Sequence, residues 1–123
     1  MKWIAVLGAL AALPVLACPL PGTPLQAGAV QLAWQPEGAE IIVGTHFGLH
    51  LQLCPADATL QRVDATMPEH RHGMNYRPSL QALGGGRWRA VGLMFHMPGR
   101  WEFRFDVDTG ATTETLRQSI TVR

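Results

Sequence analysis

Large apolar residues alternate with charged or polar ones along several short stretches of the chain. The clearest stretch runs from Arg100 to Val107, where an arginine or an acidic residue precedes each large apolar residue. Weaker versions of this alternation occur in residues 30–34, 47–54 and 60–67. A side-chain period of two predicts β-strands, each with one buried and one open face.

Turn-forming residues separate these stretches and complete the prediction of the fold. Residues 84–86 (GGG) lie between apolar stretches at 79–83 and 87–95, which predicts a β-hairpin. No long helical periodicity follows residue 17. About seven strands at intervals of roughly ten residues predict an all-β fold, an immunoglobulin-like antiparallel β-sandwich. Large residues of the strands should form most of its core: Trp34, Phe47, Leu49, Leu51, Trp88, Trp101, Phe103 and Phe105.

The N-terminus has the pattern of an export signal. Lys2 precedes an apolar run at residues 3–16, and small residues near Ala17 offer a cleavage site. The run is shorter than the about 20 residues that a membrane span needs, so we expect no transmembrane segment after cleavage. These features predict a periplasmic or secreted protein made of three parts: a signal peptide at 1–17, an extended Pro/Gly-rich arm at 18–28 and a single sandwich domain at 29–123.

The chain has two cysteines, Cys18 and Cys54. In an oxidising compartment such a pair favours a disulfide, which would close a loop and stabilise the fold by roughly 3–4 kcal/mol. The competing interpretation is that Cys18 carries a lipid anchor, which would leave Cys54 unpaired. Leu16 occupies a position where lipoprotein signals usually have a small residue, so we favour the disulfide.

Charge and composition narrow the classes of function. Ten basic residues balance nine acidic ones, which gives no indication of nucleic acid binding. The only serines, Ser79 and Ser119, have no base and acid arranged beside them in the sequence, and the carboxylates are dispersed. No phosphate-binding loop or dinucleotide fingerprint occurs. We therefore do not expect an enzyme.

Histidine and methionine are concentrated in two turn-like segments, residues 67–74 (MPEHRHGM) and 94–99 (MFHMPG). Gly73 and the prolines at 68 and 78 argue against a simple strand between those prolines. If it is extended, His70 and His72 point to the same side, because alternate residues share a face. Should the two segments meet at one end of the sandwich, a mixed imidazole and thioether set could converge on copper. The candidate ligands are Met67, His70, His72, Met74, His96 and Met97.

Each of these residues also has a structural explanation. Methionines commonly fill gaps in small cores, His70 could lie in a solvated turn, and His96 could be a buried histidine bonded to a carbonyl. We interpret His46 and His50, on the open face of one strand, as solvated.

The segments 67–74 and 92–105 resemble the YtkA-like family of small exported bacterial β-sandwich domains. Its members carry a Met-Pro … His-Gly-Met segment and a later hairpin ending in Met-Pro-Gly-x-Trp, here residues 97–101, and the likeness covers residues 38–108. Relatives of that family resemble copper-resistance and oxidase-maturation accessory proteins. The resemblance therefore implies that the six residues named above bind copper. The chain lacks a Met-rich N-terminal string, so the resemblance does not imply tight Cu(I) storage.

Together these features predict a periplasmic copper-binding or copper-delivery accessory protein. Its partner would be a periplasmic or membrane-bound metalloprotein. The alternative is an interaction module that binds no metal and docks a periplasmic or membrane complex, with the histidines and methionines shaping the docking loop.

Overall fold

The structure is a computed structural model that describes residues 20–123 and five positions nearer the N-terminus: Lys2, Ile4, Ala5, Gly8 and Ala9. All of its regular elements are strands: β1 (Leu25–Ala27), β2 (Val30–Pro36), β3 (Phe47–Cys54), β4 (Thr59–Met67), β5 (His72–Gly73), β6 (Ser79–Gly84), β7 (Arg87–Leu93), β8 (Gly99–Asp108) and β9 (Thr113–Val122). Among the described residues, no helix is long and apolar enough to cross a membrane.

The strands form two antiparallel sheets. One has the order β1-β2-β3-β7-β6 and the other β5-β4-β8-β9. Apart from the short β1, this is the arrangement of an immunoglobulin-type sandwich, in which strands A, B, E and D face strands C, F and G, here with one added strand beside C. The predicted all-β sandwich is therefore confirmed. Residues 20–123 contain nine strands rather than about seven, because they include two very short ones, β1 and β5, of three and two residues.

The alternation read from the sequence determines which side chains reach the core. In β8, Trp101, Phe103, Phe105 and Val107 are fully buried, whereas the charged residues between them lie on the outer face. Phe103 contacts Phe47 of the facing sheet at a ring-centroid distance of 6.4 Å. The aromatic residues of β8 thus join the two sheets.

Two residues predicted for the core, Trp34 and Trp88, are only half-buried. Trp34 lies beyond the end of β1, which pairs with residues 30–32 alone. Trp88 is paired with the small Ala82 of the edge strand β6. On the strand next to it toward the sheet edge, neither tryptophan therefore has a large pairing partner. Further fully buried residues complete the core: Val30, Leu32, Leu53, Met67, Leu93, Phe95 and Val107.

The topology places the inter-strand connections at two opposite ends. Connections 37–46, 68–71 and 94–98 lie at one end, where the backbone N–H of Gly44 donates to the carbonyl of Phe95 at 2.8 Å. We call this the histidine end. Connections 55–58, 85–86 and 109–112 lie at the other, which we call the turn end. There the N–H of Leu53 donates to the carbonyl of Gly86 at 2.7 Å.

Cys54 is the last residue of β3 and is not a free thiol. Cys18 and most of the predicted signal peptide lie outside the described residues. The pairing of Cys18 with Cys54 and the cleavage after Ala17 therefore stay predictions.

Candidate functional site

The segment 67–74 forms a tight hairpin, which the sequence analysis did not predict. Met67 of β4 pairs with His72 of β5. The N–H of His70 donates to the carbonyl of Met67 at 3.1 Å. This closes a turn with Pro68 in its second position, where proline is favoured because its φ is already set. The chain returns through Arg71, which has a positive φ of 53°.

Our expectation that no strand forms in this segment was therefore wrong, because a short strand, His72–Gly73, does form there. His70 lies in an exposed turn, which was one of the two interpretations left open for it. The proline does not prevent the strand because it occupies the loop, where its missing N–H is not needed for pairing.

The hairpin brings two imidazoles together at its tip. The rings of His70 and His72 are both exposed and lie roughly parallel, with an interplanar angle of 27° and a centroid distance of 6.3 Å. His96, also exposed, comes from the β7–β8 connection, and its ring centroid lies 6.2 Å from that of His72. The two connections thus meet at one end of the sandwich, as the copper hypothesis requires.

Buried aromatic residues support His96 from below. Its ring meets Trp101 edge-on at a centroid distance of 5.5 Å. Trp101 is fully buried and stacks on Phe95 at 4.5 Å with an interplanar angle of 15°. The indole N–H of Trp101 donates to the carbonyl of Met97 at 3.0 Å, which fixes the connection that carries His96. The backbone around His96 is therefore anchored, while its ring stays in solvent.

The three candidate methionines lie deeper than the histidines. Met67 is fully buried, and a Cβ built on Gly99 would lie 2.9 Å from its methyl carbon. Met74 is half-buried and lines a cavity of about 590 Å³ beside β4, together with Arg62 and Arg77. Met97 is half-buried and packs against the core. The structure thus gathers the imidazoles at the surface and directs the thioethers inward.

The spacing of the rings is close to what a shared ion requires. Two imidazoles on one ion, with metal–nitrogen distances of about 2.0–2.1 Å, have ring centroids roughly 4.5–6.4 Å apart. The measured distances of 6.3 and 6.2 Å fall near the upper limit, which corresponds to rings on opposite sides of the ion, so His72 could keep its present spacing to only one of the other two rings on a shared ion. Within the described part of the chain, however, no group of three His, Cys, Asp or Glu residues is already arranged to hold an ion. Ligation by all three rings would require rotation of these exposed side chains.

An ion pair joins the hairpin loop to the neighbouring strands, and the sequence pattern contained no signal for it. The guanidinium of Arg100 on β8 donates to the Glu69 carboxylate at 2.9 Å and to the Ser119 hydroxyl at 3.1 Å. The Glu69 side chain is exposed and that of Arg100 is half-buried, and such a pair near the surface contributes little to global stability. It does hold the loop that carries His70 against the β8–β9 sheet.

The other two histidines contact residues outside this cluster. His46 is exposed and contacts the ring of Tyr76 edge-on at 4.9 Å. His50 is exposed, as expected, but its Nε2 lies 3.2 Å from the Glu37 carboxylate. Arg89 also donates to Glu37, and this hydrogen bond is the main reason that the pKa of Glu37 lies below its usual value. Both imidazoles thus have partners outside the cluster.

Comparison of the chain with family models, curated proteins and solved structures finds no match. The resemblance to the YtkA-like family stays a prediction from the two sequence segments.

Proposed function

We propose that the chain is an exported copper-binding protein that holds its ion at the histidine end through His70, His72 and His96. The observation that carries this proposal is the chain of three exposed imidazoles with successive centroid distances of 6.3 and 6.2 Å. Two separate connections supply these rings, so the cluster is a product of the fold and not only of a local sequence.

Copper is the ion that this donor set favours. Imidazole nitrogen is an intermediate ligand, and among first-row divalent ions it binds Cu²⁺ most strongly in the Irving–Williams order. A structural zinc site would more often include cysteinate, and Cys54 is not a free thiol.

Exposure of the rings favours delivery over storage. An ion at the tip of a surface hairpin can be approached by the ligands of a second protein without opening the sandwich. We therefore propose that the protein transfers copper to or from a periplasmic or membrane-bound metalloprotein, with the Cys18–Cys54 disulfide as part of the exported form.

Calorimetric titration of the purified chain with copper tests this proposal against a matched control. His70→Ala/His72→Ala removes two imidazoles from the cluster, and His46→Ala/His50→Ala removes two exposed imidazoles elsewhere. We expect the first variant to lose affinity by more than about 100-fold, because direct ligands matter more than the supporting residues whose loss costs 10–100-fold. The control should bind like the wild type. All four positions are exposed, so neither variant should lose more than about 1–2 kcal/mol of stability.

Two results would contradict the proposal. One is the absence of stoichiometric copper binding to the wild type, and the other is an equal loss of affinity in both variants. The first would favour the docking module, in which the hairpin only shapes a contact surface.

A further inference from the structure

We propose that the site is selective for oxidised copper, Cu(II), and that the ion is held by imidazole nitrogens with no thioether ligand. This inference rests on the proposed function and specifies its substrate. It differs from the sequence-based ligand set, which mixes His70, His72 and His96 with three methionines. In the fold the three histidines are exposed, whereas the three methionines are buried or half-buried.

Met67 occupies a position that only a rearranged core could release. It ends β4 on the inward face and is fully buried, with its methyl group against Gly99. Its register partner His72, on the edge strand β5, is exposed. Met67 and His72 therefore share a face of the sheet, but Met67 is a core residue and His72 is exposed at the surface.

Met74 lies at a cavity beside β4, whereas Met67 lies in the core. Its backbone N–H donates to the carbonyl of Ala65 at 3.1 Å, which continues the β4–β5 ladder by one step. Its side chain lines the cavity beside β4, whose other walls include Val63 and Leu80. Met74 is half-buried and packs against the core.

Met97 is the nearest thioether to the cluster in sequence, since it follows His96. It is half-buried and packs against the core, and its carbonyl accepts the hydrogen bond from Trp101. The exposed His96 and the half-buried Met97 thus differ in their access to solvent although they are adjacent in the chain.

The resulting donor set determines the oxidation state. Thioether and thiolate ligands select Cu(I), whereas imidazole sets with open positions suit Cu(II), which takes nitrogen and oxygen ligands in tetragonal geometry. Three surface imidazoles leave positions for water, which Cu(II) readily accepts. A cluster that binds through imidazole nitrogen alone has no corresponding means of preferring the reduced ion.

Affinity measurements with both ions on three proteins test this inference. The proteins are the wild type, the triple variant His70→Ala/His72→Ala/His96→Ala, and the triple variant Met67→Leu/Met74→Leu/Met97→Leu. Leucine keeps the volume and apolar character of methionine, so the second variant should fold. Cu(II) is titrated against a glycine buffer. Cu(I) is titrated under anaerobic conditions with ascorbate against a chromophoric chelator.

We expect the histidine variant to lose Cu(II) binding by more than 100-fold and the methionine variant to stay within about threefold of the wild type. The electron paramagnetic resonance spectrum of the Cu(II) protein should show coupling to imidazole nitrogen in the wild type and the methionine variant alike. All three proteins should compete poorly with the chelator for Cu(I).

The outcomes separate this inference from the proposed function. Tight Cu(I) binding that the methionine variant loses would overturn the inference and leave copper binding in place. Failure of the wild type to bind either ion would overturn both. Circular dichroism of each variant shows whether a loss of binding comes from unfolding.

Discussion

The two ends of the sandwich use their polar groups in different ways. At the turn end, the side chains satisfy the backbone: the Asp108 carboxylate accepts from the N–H of Gly110 at 2.7 Å, and the Thr109 hydroxyl accepts from the N–H of Thr112 at 3.1 Å. At the histidine end, no hydrogen bond joins the rings of His70, His72 or His96 to another residue of the described chain. Their nitrogens are left to solvent or to a ligand.

This difference separates a structural end from an end that can bind. Turns built from glycine, threonine and aspartate consume their own donors and acceptors, as short connections between strands usually do. The histidine end is instead stabilised from below, by Trp101, Phe95 and the buried Met67. Its stability and its chemistry therefore reside in different side chains.

The largest effect should come from removing that support. Trp101→Ala should destabilise the protein by about 3–5 kcal/mol, because the indole is fully buried and stacked on Phe95. Trp34→Ala, which truncates a half-buried indole, should cost less than half as much. Urea denaturation of the two variants measures the difference. Equal losses would show that Trp101 is not a special support of this end.

A matched pair of glycines tests the turn end. Gly86 has a φ of 81°, and a Cβ there would lie 2.6 Å from the carbonyl oxygen of Leu53. Gly85 has a φ of 65°, but a Cβ there would meet nothing within 4 Å. Gly85→Ala should cost about 1–2 kcal/mol from backbone strain alone. Gly86→Ala should cost at least about 1 kcal/mol more, since backbone must also move.

Thermal denaturation of Gly85→Ala and Gly86→Ala measures the loss of stability in each variant, and repeating it with copper shows whether each still binds the ion. Both alanine variants should bind copper like the wild type, because the histidine end lies at the opposite end of the sandwich. A loss of copper affinity in Gly85→Ala would contradict the independence of the two ends.

A smaller loss of stability is expected from a substitution at Asp106, which lies on the outer face of β8. Burial opposes its charge, but hydrogen bonds from Thr115 at 2.7 Å and from Arg104 at 3.1 Å outweigh burial and hold the pKa of Asp106 below 3.8. A carboxyl whose folded pKa is lowered stabilises the fold above its unfolded pKa, and this contribution disappears as the pH falls through the folded value. Asp106→Asn should therefore cost about 1 kcal/mol at pH 7.

The pH dependence of the midpoint of unfolding distinguishes this effect from a loss of packing. The difference between wild type and Asp106→Asn should shrink as the pH falls below about 4 and vanish in stronger acid. A difference that stays constant down to pH 2 would show that Asp106 acts through packing and not through its charge.

The fold could be predicted from the sequence because one alternating pattern determines it. The pattern of β8 gave its buried face correctly, and Gly84-Gly85-Gly86 marked the β6–β7 hairpin. The strand β5 could not be predicted, since two residues are too few to form a pattern and its pairing depends on the register of β4.

The candidate site was predicted only in part. The sequence identified residues 67–74 and 94–99 as candidate segments, but that they meet follows from the strand order, which the sequence analysis did not predict. Which of their side chains face solvent could not be derived. Met67 and His72 share a face of one sheet, and only the edge position of β5 exposes one and not the other.

Nuclear magnetic resonance of the labelled protein during Cu(II) titration tests the central claim most directly, since the paramagnetic ion broadens signals of nearby nuclei. At substoichiometric Cu(II), we expect selective loss of the signals of His70, His72 and His96 and of the amides around them. Signals of the turn end, at Gly84–Gly86 and Thr109–Thr112, should stay sharp. Broadening centred on His46 or His50, or spread evenly over the molecule, would contradict a copper site formed by His70, His72 and His96.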